Sequence, residues 1–275
     1  MSTDPCLSLL LAIADDEFVL GHRLGEWTGW VPYVEEDLAL SSIAQDEIGH
    51  ARALYEIASA IDGRSADELA LGRAPDEYRN CHLVEHPNRD FAYTIARQWL
   101  YDSADAVRLR ALSSSSLKEL RDLVAVLQLE ERYHLEHASE WFKRLARGPV
   151  EARHKLTEAL ELTIGEAFWI FEPLEGEDEL VSSAVLPEPM SALQERWIAD
   201  VRAQLLDASL DHVLSPHEAA VGDLIPTSAG SIIDDAPTGG GTTGAGGRRG
   251  VHSDDFMPMW EEMTALYRAH PGARW

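Results

Sequence analysis

Two acid–histidine pairs have the residue types and the spacing to bind metal. Glu47 precedes His50 by three positions, and Glu131 precedes His134 by three. On a helix, residues three apart lie on the same face, so each pair offers a carboxylate and an imidazole to one point in space. Those donors suit iron or manganese better than a metal that prefers thiolates. Two such pairs on two helices predict a site for two metal ions.

The spacing alone is not specific, because Glu151 and His154 also satisfy it. That pair begins a helix and has no matching partner pair, so we interpret it as capping and surface charge. His137 follows His134 by one helical turn and is within reach of the predicted site. A packing or surface role is the commoner one for such a histidine.

The hydrophobic pattern predicts helices and no strands. Apolar residues recur at intervals of three and four, which is the period of a helix with one buried face. The predicted helices cover residues 5–29, 33–62, 89–112, 117–147, 150–172, 190–213 and 253–269. We expect an all-α chain, specifically a ferritin-like four-helix bundle with additional C-terminal helices.

The register of the helices selects one acid on each of the two preceding helices. In an antiparallel pair, positions are reflected across the turn, and the two turns centre near residue 31 and near residues 114–115. Glu17 then lies at the level of Glu47, thirty positions later, and Asp102 at the level of Glu131, twenty-nine positions later. The agreement of the two offsets favours these acids over the neighbouring candidates, which are Asp16, Glu26 and Asp105.

The predicted ligand set therefore comprises four carboxylates and two imidazoles: Glu17, Glu47, His50, Asp102, Glu131 and His134. Four negative charges nearly balance two divalent ions, which makes burial of the site tolerable. In this interpretation Glu47 and Glu131 bridge the metals, and each histidine holds one of them. We expect two iron ions, with manganese as the alternative. Asp46 lies one turn before His50 and is expected to orient its free ring nitrogen.

Composition excludes several functions. The net charge of −25 disfavours nucleic acid and anionic membranes as partners. The chain has no apolar run of about 18 or more residues, so we expect no membrane span. The N-terminal residues lack the basic region of a secretory signal, and two cysteines are too few for a disulfide framework. A cytoplasmic protein is expected.

The C-terminal part changes character. We predict a bundle domain over residues 1–225, a flexible Gly-rich segment over 226–250, and a helix within 251–275 that packs on the bundle or on a partner. The Gly-rich segment contains Arg248 and Arg249, which we expect to be solvated or to touch a partner or a phosphate.

Four phrases of the sequence are long enough to be specific to a family. They are Val-Leu-Gly-His-Arg-Leu-Gly-Glu-Trp (19–27), Glu-His-Pro-Asn-Arg-Asp-Phe-Ala-Tyr-Thr-Ile-Ala-Arg-Gln (85–98), Glu-Arg-Tyr-His-Leu (131–135) and Gly-Gly-Arg-Arg-Gly-Val-His-Ser (246–253). They resemble the phenylacetate-catabolism family, from about residue 8 to Trp275. Within that family the chain is most similar to C-type subunits of the phenylacetyl-CoA 1,2-epoxidase complex.

The resemblance implies a ferritin-like fold and membership of a multicomponent monooxygenase. Such a complex inserts one atom of O₂ into the ring of phenylacetyl-CoA, with electrons from NADPH through a separate reductase. It implies a sister A-type subunit that is catalytic and a C-type subunit that is structural, having lost ligands. This chain departs from that pattern, because it keeps acids and histidines at all six positions. Three possibilities stay open: a metal-bearing subunit, a non-catalytic partner of the A-type subunit, and a stand-alone di-metal oxidase. A hetero- or homo-oligomer is expected.

Overall fold

The computed structural model describes residues 4–31, 33–217 and 244–273, and every regular element within those ranges is helical. The all-α prediction is thus confirmed. The α-helices are α1 (Pro5–Gly25), α2 (Val34–Asp62), α3 (Ala66–Leu71), α4 (Phe91–Leu112), α5 (Lys118–Ala146), α6 (Val150–Ala167), α7 (Glu177–Ser182), α8 (Met190–Asp207) and α9 (Phe256–Ala269). No helix in the described parts of the chain is both long and apolar enough to cross a membrane.

Two helix pairs form the ferritin-like bundle. α1 packs along α2, α4 packs along α5, and α2 meets α5 so that the two pairs enclose one core. α6 and α8 cover the outer side of α4, which explains why α4 is buried nearly all round. The first helix of each pair starts on an aspartate cap: Asp4 accepts from the amide of Cys6, and Asp90 accepts from the amide of Tyr93.

A glycine sets the distance between α1 and α2 beside the predicted site. A Cβ on Gly21 would lie 2.9 Å from Cγ1 of Ile48, 3.0 Å from the carbonyl oxygen of Ala44 and 3.0 Å from Cβ of Glu47. The missing side chain therefore permits the two backbones to approach closely, one turn from Glu17. This approach positions the acid of α1 against the acid–histidine pair of α2.

The predicted helix bounds were too long at several C-terminal ends. The first predicted helix, which is α1, ends at Gly25 instead of residue 29. The sixth predicted helix, which is α8, ends at Asp207 instead of residue 213. The fifth changes from α to 3₁₀ geometry at Phe168–Phe171. At these ends apolar residues continue the periodic pattern after the helix has stopped, so the pattern alone does not locate the last turn.

The C-terminal residues lie against the bundle. α9 packs on α3, and the ring of Phe256 contacts the ring of Tyr78. Arg248 is buried and forms an ion pair with Asp16 of α1, so the expectation that it is solvated is wrong. Arg249 is largely exposed and pairs with Glu172. The division into three segments stays a prediction, because residues 218–243 lie outside the described ranges.

Candidate metal centre

Three helices bring three carboxylates and one imidazole to one buried point. Glu17 of α1, Glu47 and His50 of α2, and Glu131 of α5 each place one ligand atom within 4.8 Å of the others. All four residues are buried. Such a set of carboxylate and imidazole groups, shielded from water, is positioned to hold a metal ion.

The remaining two predicted ligands lie beside this cluster. Nδ1 of His134 is 3.3 Å from Oε1 of Glu131 and 3.5 Å from Oε1 of Glu47. Asp102 of α4 is buried and accepts a hydrogen bond from Gln98 through Oδ1 only. The two histidine rings stack with centroids 5.9 Å apart. All four bundle helices therefore contribute polar side chains to this part of the core.

Each of these six residues has at least one potential metal-binding atom that lacks a hydrogen-bond partner in the protein. The unpartnered buried atoms are Oε2 of Glu17, both carboxylate oxygens of Glu47 and Glu131, Oδ2 of Asp102, and Nδ1 of His50 and His134. Nδ1 of His50 is 3.0 Å from Oε1 of Glu131, but without hydrogen-bond geometry. A buried polar atom left unpaired costs about 1–3 kcal/mol, and a charged one more. Cations at the focus would satisfy all of these atoms at once, so the residues fit a metal site.

The electrostatics of the cluster reflect the crowding of like charges. Burial, together with the carboxylates of Glu17 and Glu131, raises the pKa of Glu47 well above its ordinary value. Burial and the carboxylate of Glu131 do the same to the pKa of Asp102. Burial would raise the pKa of Glu131 as well, but His134 and His50 outweigh it and bring that pKa to about 2. Carboxylates in such a pocket need positive charge beside them to stay ionised together.

The histidines supply part of that charge when protonated. Burial opposes protonation of His50, but its contacts with Glu131 and Glu17 outweigh burial and raise the pKa to about 12. Burial is likewise outweighed at His134, where Glu131 raises the pKa to about 10. Metal ions in the same pocket would replace these protons as the source of positive charge.

Each histidine is held from outside by an acid on the opposite helix. Nε2 of His50 is 2.7 Å from Oε2 of Glu130, and Nε2 of His134 is 3.3 Å from Oδ2 of Asp46. The prediction that Asp46 orients His50 is therefore wrong. Nδ1 of each histidine faces the cluster, so Nε2 points across the α2–α5 seam, where a residue one turn away on its own helix does not meet it. Glu130 was missed, although Glu130 and Asp46 both directly precede a predicted ligand glutamate in the sequence.

Three successive acids on α1 show why Glu17 is the candidate ligand. Asp15, Asp16 and Glu17 are all buried. Asp15 pairs with Arg73, and Asp16 with Arg108 and Arg248. Burial would raise the pKa of Asp16, but Arg248 and Arg108 outweigh it and hold that pKa below its ordinary value.

Glu17 has weaker compensation than its two neighbours. Tyr101 donates a hydrogen bond to Oε1 at 2.9 Å, and Nη2 of Arg108 is 3.6 Å from the same oxygen. Oε2 has no hydrogen-bond partner and lies 3.5 Å from Nδ1 of His50. No pattern in the sequence indicates this contact of the Tyr101 hydroxyl, because it joins residues 84 positions apart. The acid with an unpaired oxygen is thus the one that faces the cluster.

The acids and histidines that competed with the six predicted ligands have partners of their own. Asp105 pairs with Arg108 through Oδ1, while its Oδ2 has no hydrogen-bond partner, and Glu26 pairs with Arg23. The ring of His137 contacts Glu36, which also accepts from Trp141. His154 is 68% exposed and lies 3.3 Å from Glu158, in keeping with its interpretation as surface charge.

The fold and the buried carboxylate–histidine cluster define a ferritin-like bundle protein with a candidate metal centre. Comparison with known proteins identifies the family. Residues 1–219 match the family described as Phenylacetic acid catabolic protein, and the chain belongs to that family. It is 31% identical over 266 residues to the C-type subunit of the 1,2-phenylacetyl-CoA epoxidase of Escherichia coli (strain K12). The match covers 96% of this chain and 97% of that protein, and the family resemblance is confirmed.

Proposed function

We propose that this chain is the C-type subunit of a phenylacetyl-CoA epoxidase complex and that its own bundle binds two metal ions. The unpaired donor atoms on all six predicted ligands carry the metal part of the proposal. Similarity along nearly the whole length to a C-type epoxidase subunit supports the assembly part. The partners would be a sister A-type subunit and an NADPH-dependent reductase, and the substrate an aromatic acyl-CoA.

Six residues would hold the metals in this proposal. They are Glu17, Glu47, His50, Asp102, Glu131 and His134, whose carboxylates and imidazoles would supply the negative charge and the nitrogen donors that the ions need. Iron is the favoured metal and manganese the alternative, since both accept carboxylate and imidazole donors. A redox-active pair of this kind supplies the capacity to bind and reduce O₂.

The protein's own residues would orient the ligands and exclude water. Glu130 and Asp46 hold the histidine rings through Nε2, so that Nδ1 faces inward. Tyr101 keeps the carboxylate of Glu17 in place by donating to one of its oxygens. All six ligand residues are buried, which keeps solvent away from the reacting groups.

A non-catalytic scaffold is the second candidate, and one contact favours it. The guanidinium of Arg108 near Glu17 supplies a positive charge to the cluster without a metal ion. In that case the chain would support its A-type partner whether or not metal is bound. A stand-alone di-metal oxidase would instead act without either partner.

The experiment begins with metal content. The purified protein is loaded anaerobically with Fe(II) or Mn(II), and bound metal is measured per chain. We expect about two ions in the wild type and none in a Glu47→Ala, His50→Ala double variant of unchanged helicity. Glu151→Ala with His154→Ala is the matched control, because it removes the same residue types at the same spacing from the surface. A wild type that binds no metal refutes the metal part.

Reconstitution with a sister subunit and a reductase then separates the candidates. NADPH-dependent oxygenation of phenylacetyl-CoA that needs all six ligand residues supports a working metal site. Unchanged turnover when all six are replaced establishes the scaffold. Oxygenation by this chain without the sister subunit establishes the stand-alone oxidase.

A further inference from the structure

The Gly-Gly-Arg-Arg-Gly segment, residues 246–250, is built to insert one arginine into the bundle. Gly246 and Gly250 have positive φ, a conformation that other residues rarely adopt. A Cβ on Gly247 would overlap the carbonyl oxygen of Asn80, and one on Gly250 would overlap that of Asp76. The glycines therefore let this segment lie directly on the backbone of residues 76–81, with Arg248 directed inward.

Both terminal nitrogens of the Arg248 guanidinium donate hydrogen bonds inside the protein. Nη1 and Nη2 donate to the two carboxylate oxygens of Asp16, each at 2.8 Å. The same group donates to the carbonyl oxygens of Ala12, Arg79 and Ile170. These contacts join the C-terminal segment to α1, to the loop before α4 and to the 3₁₀ turn after α6. A planar, bidentate arginine fits this arrangement, and a lysine cannot reproduce it.

A chain of buried contacts continues from Asp16 to the candidate metal ligand Glu17. Arg108 donates to Oδ2 of Asp16 at 3.0 Å and to the hydroxyl of Tyr101 at 3.0 Å. Tyr101 in turn donates to Oε1 of Glu17. All five side chains are buried. Arg108 also donates to Asp105 through Nε and Nη2, so it is shared between Asp105, Asp16 and the hydroxyl that holds Glu17, and Arg248 carries part of the compensation that Asp16 needs.

We propose that Arg248 is a positioning residue for the metal ligand Glu17, acting through Asp16, Arg108 and Tyr101. The inference rests on the proposed function, since it presumes that Glu17 binds metal. Without the bidentate contact from Arg248, Arg108 must turn further toward Asp16. Tyr101 then loses its fixed partner, and the carboxylate of Glu17 is no longer held in one orientation. The affinity for the ion bound by Glu17 falls, while the affinity for the ion bound by Asp102 and His134 does not change.

The test is an anaerobic titration with Mn(II), followed through the signal of the free ion, on Arg248→Lys. Lysine keeps the positive charge, so a change reports lost geometry instead of a changed field. We expect one of the two ions to bind at least about fivefold more weakly and the other to be unchanged. Arg249→Lys is the matched control, because Arg249 is the adjacent residue and is 58% exposed.

A second variant tests the route. Tyr101→Phe should weaken the same ion, and Arg248→Lys should add little in the Tyr101→Phe background, because residues in one network are not additive. The proposal is overturned if both ions bind more weakly to the same extent, or if neither does. It is also overturned if the lysine variant does not fold. If the wild type itself binds no metal, the proposed function fails first and this inference fails with it. Two ions bound equally well by wild type and Arg248→Lys refute the inference alone.

Discussion

His50 on α2 and Glu130 on α5 are joined across the seam between the helix pairs, with Nε2 and Oε2 2.7 Å apart. In the same way, Asp46 on α2 contacts Nε2 of His134 on α5. Each acid directly precedes a candidate ligand glutamate, and each contacts the histidine on the other helix. The histidine on either helix is oriented only when the other helix is in place.

Glu130→Gln should lower metal affinity by about tenfold, because outer partners of ligand histidines typically contribute 10- to 100-fold. Metal titration of the folded variant measures the change. Glu136→Gln, on an exposed position of the same helix, is the control and should bind as the wild type does. Equal affinities in the two variants would contradict an orienting role for Glu130.

Gly21→Ala should destabilise the protein although alanine favours helices by about 1 kcal/mol. The added methyl carbon would lie 2.9 Å from Ile48 and 3.0 Å from Ala44 and Glu47, which is closer than van der Waals contact. Such overpacking costs about 1–3 kcal/mol. Urea unfolding measures the difference. Gly49→Ala on α2 is the control, since its Cβ would meet nothing within 4 Å and should stabilise instead. Stabilisation by both substitutions would show that α1 and α2 can separate freely.

Arg73→Gln should reduce the free energy of unfolding by about 3–5 kcal/mol, the usual cost of leaving a buried charge unpaired. Arg73 and Asp15 are both fully buried, and Asp15 also accepts from Tyr55 and from the amide of Arg79. Arg52→Gln is the comparison, because Arg52 pairs with Glu56 at the surface and should change little. A small effect at Arg73 would mean that Tyr55 and the amide suffice for Asp15.

The imidazole of His86 should make stability fall as the pH rises. It lies between Asp255 and Glu166, at 2.7 Å and 2.9 Å. Burial opposes its protonation, but Glu166 and Asp255 outweigh burial and raise the pKa of His86 above 6.5. The stabilisation is complete below the unfolded-state pKa and disappears as the pH rises through the folded-state pKa.

Urea unfolding of wild type and His86→Gln between pH 5.5 and pH 9 should show a gap that narrows toward high pH. His154→Gln removes an exposed histidine and is the matched surface control. A gap at His86 that is independent of pH would contradict the role of its charge.

Helical periodicity and reflection across the turns were sufficient to predict the bundle and the level of Glu17 on α1. Both depend only on repeating local geometry, which the sequence displays directly. Periodicity did not reveal that Asp15 and Asp16 are paired with buried arginines. Their arginine partners are remote in sequence, with Arg248 separated from Asp16 by 232 positions. The direction of the histidine rings was equally hidden, because it depends on how α2 and α5 meet.

The contact between Asp16 and Arg248 also affects when α1 can complete its folding during synthesis of the chain. The first helix is synthesised with a carboxylate whose two buried arginine partners come later, Arg108 after 92 further residues and Arg248 after 232. Until Arg248 is present, Asp16 has only part of its buried compensation, so α1 is held less firmly in its final place. A chain cut before residue 244 should therefore be cleaved by protease near its beginning, far from the missing segment.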